Sequence, residues 1–199
     1  LSLDGMTELS DAAAESLSKH EGHIDLRGLR SLSDGPGHIA LAERLSKYEG
    51  DLYLHNLTEL SDVASDNLSK HEGNLYLNGL TELTDVAAES LSKHKGGLVL
   101  IGLTELSDVA AESLSKHEGD LYLDGLTELS DSAAEIIGKY QGLVTPNGQI
   151  LRLDKGCRCL AGLTELSDAA AESLSKHEGD LVLNGLTELT HVAAENLGK

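Results

Sequence analysis

Apolar and polar residues alternate in short stretches that recur along the whole chain. In residues 121–126, LYLDGL, leucines alternate with polar or aromatic residues, which is typical of a short strand with one buried face. The spacing then becomes helical, because in the neighbouring copy Ala110, Leu114 and His117 fall four and three residues apart on one face. Each unit is therefore predicted to contain one strand, one turn and one helix of about ten residues.

The ends of the predicted helix carry recognisable signals. Ser130 and Asp131 precede the apolar run, and a side-chain oxygen there can accept hydrogen bonds from the free N–H groups of the first turn. Gly119 follows the last turn of the preceding copy, where glycine commonly ends a helix. We expect the helix to begin after the Ser-Asp pair and to end at this glycine.

The pattern belongs to a 23-residue repeat, L-x-L-x-G-L-T-E-L-[ST]-[DH]-x-A-A-E-x-L, extended in the fuller copies by S-K-H-x-G-x. A fixed period of this length indicates a stacked repeat architecture. Eight copies are recognisable: they begin at Leu1, Leu52, Leu75, Leu98, Leu121 and Leu181, a longer one begins at Ile24, and a damaged one contains residues 162–168.

A single copy cannot fold alone. Burying about five leucines contributes roughly 1.5–3 kcal/mol each, whereas ordering 23 backbone positions costs roughly 1–2 kcal/mol per residue. Stacking supplies the missing hydrogen bonds through a parallel sheet with strands about 4.8 Å apart. Phe and Trp are absent and 21 residues are glycine, a composition that suits thin, repeated layers. We therefore predict one elongated domain over residues 1–199.

The string L-x-L-x-x-L-x-x-L-S-D-x-x-A-x-x-L resembles a leucine-rich repeat, and most closely the cysteine-containing subclass with its L-x-L-x-x-C-x-x-I-T-D consensus. The resemblance implies an α/β fold, a right-handed horseshoe solenoid with a parallel β-sheet on its concave face and short α-helices on its convex face. It also implies a protein that binds other macromolecules, and the near-identity of the copies resembles bacterial members. Leu80, Leu103 and Leu126 occupy the Cys or Asn position, so we expect the threonine that follows each to supply the loop hydrogen bonds.

The residues between and beside the strand leucines are predicted to form the outward columns of the concave sheet. Tyrosine beside Asp, Asn and His is the composition of a recognition surface. The alternative is that Tyr and Val occur there because they suit strands and that Asp and Asn only solvate the face. The predicted contact residues are Asp51, Tyr53, His55, Asn74, Tyr76, Asn78, Asp120, Tyr122, Asp124 and Arg152.

A column of histidines recurs at the predicted helix ends and should stack one layer apart. Such imidazoles could bind a transition metal or titrate together near neutral pH. Tyr48 and Tyr140 stand at the same place in two copies, which favours packing and pH-sensitive stability over a metal site. The column comprises His20, His71, His94, His117 and His177.

No catalytic constellation stands out from the repeat. Ser, His and Asp all come from repeated columns, so they do not single out a nucleophile with its base. We therefore expect neither enzyme activity nor a cofactor.

Two insertions interrupt the period. Residues 34–38 are expected to lengthen the loop between strand and helix by five residues. Residues 143–161 add fourteen, with a hairpin turn predicted at residues 146–148. The strand of this copy is either residues 151–154 or residues 158–160, and the first is favoured because it keeps both inward leucines. Two cysteines in this insertion, Cys157 and Cys159, define no disulfide framework.

The net charge of −19 argues against nucleic acid or an anionic membrane as partner, since both require a basic surface. No apolar stretch is long enough to span a bilayer. A neutral or cationic protein partner is compatible with the charge. Because the chain starts within a strand and ends just after a helix, we interpret it as an internal block of a longer array, whose uncapped ends can associate end to end. A spacer or adhesin-type stalk is the alternative function.

Overall fold

The computed structural model describes residues 1–139, 158–160, 162–176 and 181–198. Its parts repeat in the order strand, turn, helix, and each repeat forms one layer of a solenoid-like stack. The helices are α1 Asp11–Ser18, α2 Pro36–Ser46, α3 Asp62–Leu68, α4 Asp85–Leu91, α5 Asp108–Leu114, α6 Asp131–Lys139, α7 Asp168–Leu174 and α8 His191–Leu197. The strands are β1 Ser31–Leu32, β2 Leu52–Tyr53, β3 Glu59–Leu60, β4 Leu75–Tyr76, β5 Leu98–Val99, β6 Leu121–Tyr122, β7 Arg158–Cys159 and β8 Leu181–Val182.

Layers are numbered here by their helices. They comprise residues 1–21, 22–49, 50–72, 73–95, 96–118, 119–139, 158–176 and 181–198.

All strand pairs in the described residues are parallel. β2, β4, β5 and β6 form one sheet in which equivalent positions of successive layers pair, for example Leu52 with Leu75. β1 pairs with β3 and β7 pairs with β8, while residues 1–3 meet the second layer at a single bridge between Ser2 and Asp25. Consecutive helices pack side by side along the other face. The predicted alternation of parallel strands and helices is thus confirmed.

The core lies between the strands and the helices. The leucines on both sides of the outward strand residue are buried, as Leu75 and Leu77 are in the fourth layer, and the alanines of each helix face them. The sequence pattern produces this core because alternate strand residues point to one side. Leucine and alanine supply most of the buried apolar side chains of the described layers.

Every helix of the described residues except α2 begins directly after the predicted serine or threonine. In α5 the Ser107 Oγ accepts from the Ala110 N–H at 3.0 Å, and Asp108 lies in the first turn. The helix is shorter than predicted, seven residues rather than about ten, because the chain after Leu114 forms turns in which the His117 N–H donates to the Leu114 carbonyl. His117 therefore lies beyond the helix, although it is buried with Ala110 and Leu114.

The prediction that Gly119 ends the helix was wrong. The C-cap is Ser115, in an ordinary right-handed conformation. Gly119 is needed for packing between layers, since a Cβ there would lie 2.3 Å from the Gly96 carbonyl oxygen. The layers approach each other here more closely than any side chain allows.

The expected hydrogen bonding by threonine is found at Thr127. The Thr127 side-chain hydroxyl donates to the Thr104 carbonyl at 3.2 Å, and the Thr127 N–H donates to the same oxygen at 3.0 Å. Thr58 donates in the same way to the Arg30 carbonyl. These bonds join the turns of successive layers directly after a buried leucine.

Three of the five residues in the first insertion lengthen a helix, and only Asp34 and Gly35 lengthen the loop before it as predicted. Pro36, Gly37 and His38 belong to α2, which has eleven residues, one turn more than its neighbours. Proline suits the first helical turn because its missing N–H is not needed there. The Asp11 carboxylate of the first layer accepts from the Gly37 N–H at 2.7 Å and so substitutes for a local cap.

In the second insertion the favoured strand was wrong. The strand of the seventh layer is Arg158–Cys159, with Arg158 opposite Leu181, and Leu160 is fully buried. Residues 151–154, the predicted hairpin turn and Cys157 lie outside the described residues.

Candidate functional site on the strand face

Three outward side chains of the third and fourth layers form an aromatic cluster. The rings of Tyr53 and Tyr76 stack with centroids 4.7 Å apart, and the His55 ring lies 5.4 Å from Tyr53 and 5.7 Å from Tyr76. Residues one layer apart on parallel strands come together in this way because their register is fixed. Tyr53 is 42% exposed. The structure thus brings together three of the ten predicted contact residues in one cluster.

Asp51 and Asn74 are used largely within the stack. The Asp51 Oδ1 accepts from the Asn74 N–H at 3.1 Å, and the Asn74 Oδ1 accepts from the Gly97 N–H at 2.8 Å. The other Asp51 oxygen accepts from the Tyr53 hydroxyl at 3.3 Å. These side chains join neighbouring layers at the start of the strands, a structural role that the sequence did not indicate.

The phenol groups of the cluster are held in their neutral form. Burial and the nearby Asp51 carboxylate raise the pKa of Tyr53 above its ordinary value, and the same two causes raise the pKa of Tyr76. A protonated phenol keeps its hydroxyl as a hydrogen-bond donor across the physiological pH range. The cluster therefore offers both ring faces and donors.

The other predicted contact residues are not part of this cluster. Val99 separates Tyr76 from Tyr122 along the sheet, and Tyr122 is only 8% exposed. Asp120 is exposed, whereas Asn78 and Asp124 are half-buried. Arg152 lies outside the described residues.

A cleft of about 210 Å³ opens beside Tyr53, between the second and third layers. Its walls include His23, Asp25, Arg27 and Tyr48 from the second layer, and Asp51 and Tyr53 from the third. The cleft was missed at the sequence level. A signal for it was present, since Asn56 replaces the glycine that follows the strand in the neighbouring copies.

Three histidines of the predicted column stack in the interior. His71, His94 and His117 are at most 3% exposed, and successive ring centroids are 6.2 Å apart with nearly parallel planes. His20 is exposed, and His177 lies outside the described residues. Stacking one layer apart is therefore confirmed for the central layers.

This spacing does not suit a shared metal ion. Zn–N bonds measure about 2.1 Å, so two imidazole nitrogens on one ion lie at most about 4.2 Å apart, and parallel rings displaced by 6.2 Å exceed this. Within the described ranges, no group of three or more His, Cys, Asp or Glu side chains could hold a metal ion. The arrangement instead buries three stacked imidazoles, and burial lowers the pKa of His94 and of His117.

The repeated serine and aspartate residues form a ladder between helices. The Ser107 hydroxyl that caps α5 donates to the Asp85 carboxylate of the previous layer at 2.5 Å. Ser130 with Asp108 and Thr84 with Asp62 repeat the arrangement. These serine and aspartate residues join the starts of successive helices. They are also residue types that occur in hydrolase active sites.

Comparisons of the chain with protein-family models, with curated proteins and with solved structures gave no match. Among the helices in the described ranges, none has the length and apolar character needed to cross a membrane.

Proposed function

We propose that this chain is a non-catalytic recognition module of the leucine-rich-repeat type, which binds a protein partner through its strand face. The horseshoe shape and the leucine-rich-repeat assignment are part of this proposal. Parallel strands in register, helices on the opposite face and the threonine hydrogen bonds between layers support it.

The aromatic cluster carries the functional part of the proposal. The chain has five tyrosines and neither Phe nor Trp, yet two of these tyrosines stack on the outward side of adjacent strands, and one leaves its ring 42% exposed. Exposed aromatic rings fixed by their neighbours are typical anchors of protein interfaces, because little conformational entropy is lost when they bind. The net charge of −19 favours a neutral or cationic partner.

A structural spacer is the second candidate. Two observations favour it: Tyr122 is buried, and the side chains of Asp51 and Asn74 serve the contacts between layers. In a spacer the outward columns would bind nothing, and the exposed ring of Tyr53 would have no function.

Capture of partners by matched variants separates the two candidates. The double variant Tyr53→Ala, Tyr76→Ala removes the aromatic cluster. Val63→Ala, Val86→Ala is the control, because these exposed valines lie on the helices of the same two layers. Folding of all proteins is checked first by circular dichroism.

The recognition module predicts a partner that is captured by the wild type and by the valine variant but lost from the tyrosine variant. Identical capture by all three proteins would reject binding through the strand face. That result would leave the spacer as the better explanation.

A further inference from the structure

The strand ladder is interrupted between the second and third layers. Between the third and fourth layers the Leu52 N–H donates to the Asn74 carbonyl at 2.8 Å and the Leu54 N–H to the Tyr76 carbonyl at 2.9 Å. The equivalent donors in the second layer, Ile24 and Leu26, make no such bond to the third layer, although both layers are fully described. Both residues are at least nine-tenths buried. Buried backbone groups are nearly always paired, so this interruption needs a cause or an occupant.

One residue shows that the second and third layers leave more room than their neighbours. At the glycine position after the strand, a Cβ on Gly102 would lie 2.1 Å from the Asn78 oxygen, but Asn56 is accommodated in the third layer and its amide donates to the Arg27 carbonyl at 2.9 Å. Before the strand, Gly50 adopts a φ of +95°, a conformation that the equivalent Gly73 does not share.

The second layer differs from its neighbours at two places. α2 is the longest helix in the described residues, and Tyr48 takes the place of the buried histidine of the central layers. At the turn after the strand the two layers remain joined, since Ser31–Leu32 pairs with Glu59–Leu60. The opening is therefore a wedge beside the strand residues, which still leaves room for a side chain at Asn56 and closes at Ser31–Leu32 and Glu59–Leu60.

The walls of the wedge are aromatic and rich in acceptors. Tyr48 contacts His23 edge to face at 4.9 Å on one side, and on the other side Tyr53 is stacked on Tyr76. Each Asp51 carboxylate oxygen accepts one hydrogen bond and can accept more. The one arginine of the cleft, Arg27, is already paired with Asp25 at 2.6 Å.

We propose that this cleft receives a basic residue, arginine or lysine, of the protein partner. The Asp51 carboxylate and the faces of Tyr48 and Tyr53 attract a cation. The partner's backbone carbonyl next to that residue accepts from the unpaired N–H groups of Ile24 or Leu26. A volume of 210 Å³ is that of about seven waters at roughly 30 Å³ each, enough for one long side chain.

The test uses blocked tripeptides and the whole chain. Acetyl-Gly-Arg-Gly-amide is titrated while backbone NMR signals are followed, and the citrulline peptide serves as its neutral isostere. The expected result is shifts confined to the amides of Ile24, Leu26 and Tyr53 and their neighbours, with the arginine peptide bound at least about tenfold more tightly than the citrulline peptide.

Two variants show whether the charge acts at the cleft. Asp51→Asn keeps an oxygen to accept from the Asn74 N–H but removes the charge, so arginine binding should fall to the level of citrulline. Glu118→Gln removes an exposed carboxylate elsewhere and should change nothing. Equal binding of the two peptides, shifts spread over the acidic surface, equal effects of the variants or no binding would each overturn the proposal.

The identity of the occupant rests on the proposed function, because a basic side chain implies a protein partner. The peptide titration needs no natural partner. Binding of the arginine peptide at the cleft together with unchanged capture by the Tyr53→Ala, Tyr76→Ala variant would leave the cleft valid and reject the strand-face function. If the Tyr53→Ala, Tyr76→Ala variant loses the partner but the arginine peptide does not bind, the strand-face function is supported and the cleft proposal is rejected.

Discussion

The imidazole rings of His71 and His94 stack in the interior with centroids 6.2 Å apart and planes 5° apart. His117 continues the stack at the same distance. Their ring nitrogens are buried and make no hydrogen bond of good geometry. Burial lowers the pKa of His94, and the nearby backbone of Ser69 and Gly73 raises it by less. The stack therefore tolerates neutral imidazoles better than charged ones.

Acid should destabilise the protein through this stack. Burial lowers the pKa of His94 and His117, so the unfolded chain takes up protons at a higher pH than the folded one. Their full contribution to stability is present above the unfolded pKa, near 6.5, and is lost as the pH falls toward their folded pKa values. The loss is roughly 1.4 kcal/mol for each unit by which a pKa is lowered. Urea unfolding between pH 7.5 and 5 measures it.

The control compares a buried histidine of the stack with an exposed histidine at the equivalent position of another layer. His94→Leu should reduce the pH dependence of the unfolding free energy, whereas His20→Leu, at the exposed equivalent position of the first layer, should leave it unchanged. A pH dependence that is the same in both variants would contradict a role for the buried rings.

Removal of a cap hydroxyl should weaken the helix ladder. In Ser107→Ala the Ala110 N–H loses its acceptor and the Asp85 carboxylate loses a donor. The expected loss is about 1–2 kcal/mol in the free energy of unfolding, measured in urea. Ser107→Thr should be close to neutral, because Thr84 makes the same two bonds in the layer before. Equal losses in both variants would contradict the assignment to the hydroxyl.

The glycine after each strand should be intolerant of a side chain only inside the stack. In Gly102→Ala the new Cβ would lie 2.1 Å from the Asn78 carbonyl oxygen, which forces the layers apart and should cost about 3 kcal/mol. Gly5→Ala occupies the same place in the first layer, where a Cβ meets nothing within 4 Å, and should change stability by less than about 0.5 kcal/mol. Similar thermal midpoints for the two variants would show that layer contact is not the cause.

Hydrogen exchange should reveal the interrupted ladder directly. The Ile24 and Leu26 amides have no acceptor in the third layer, whereas the Leu75 and Leu77 amides donate to the fifth. The first pair should exchange about tenfold or more faster than the second, because a hydrogen-bonded amide must open before it exchanges. Equal protection of the two pairs, measured by NMR in D₂O, would mean that the second and third layers are closed.

Much of the fold could be predicted from residues that repeat. The leucine alternation predicted β2, β4, β5, β6 and β8, although not β1 and β3. The serine or threonine before each helix predicted its start except in α2, and the bond expected at Thr127 joins two turns. The helix end at Gly119 was mispredicted because a glycine needed for contact between layers looks the same in sequence as one that ends a helix. The strand at Arg158 was missed because one arginine broke the leucine pattern that the register otherwise follows.

The candidate site was predicted only in part. Alternation places Tyr53, His55 and Tyr76 on the outward side of their strands, but their mutual contact follows from the register of two parallel strands. The inter-layer bonds of Asp51 and the burial of Tyr122 depend on neighbours 23 residues away. A pattern read within one repeat does not show contacts between residues that lie 23 positions apart in the sequence.

The sequence by itself determined the repeating unit, its strand and helix, and the layers that must stack, because a thin unit of 23 residues has no core of its own. Only the tertiary structure shows where the hydrogen bonds between strands of successive layers are interrupted. Between the second and third layers the Ile24 and Leu26 N–H groups have no acceptor, and the cleft beside Tyr53 opens at this place. Contact between layers is cooperative, so one irregular repeat changes its neighbour as well as itself.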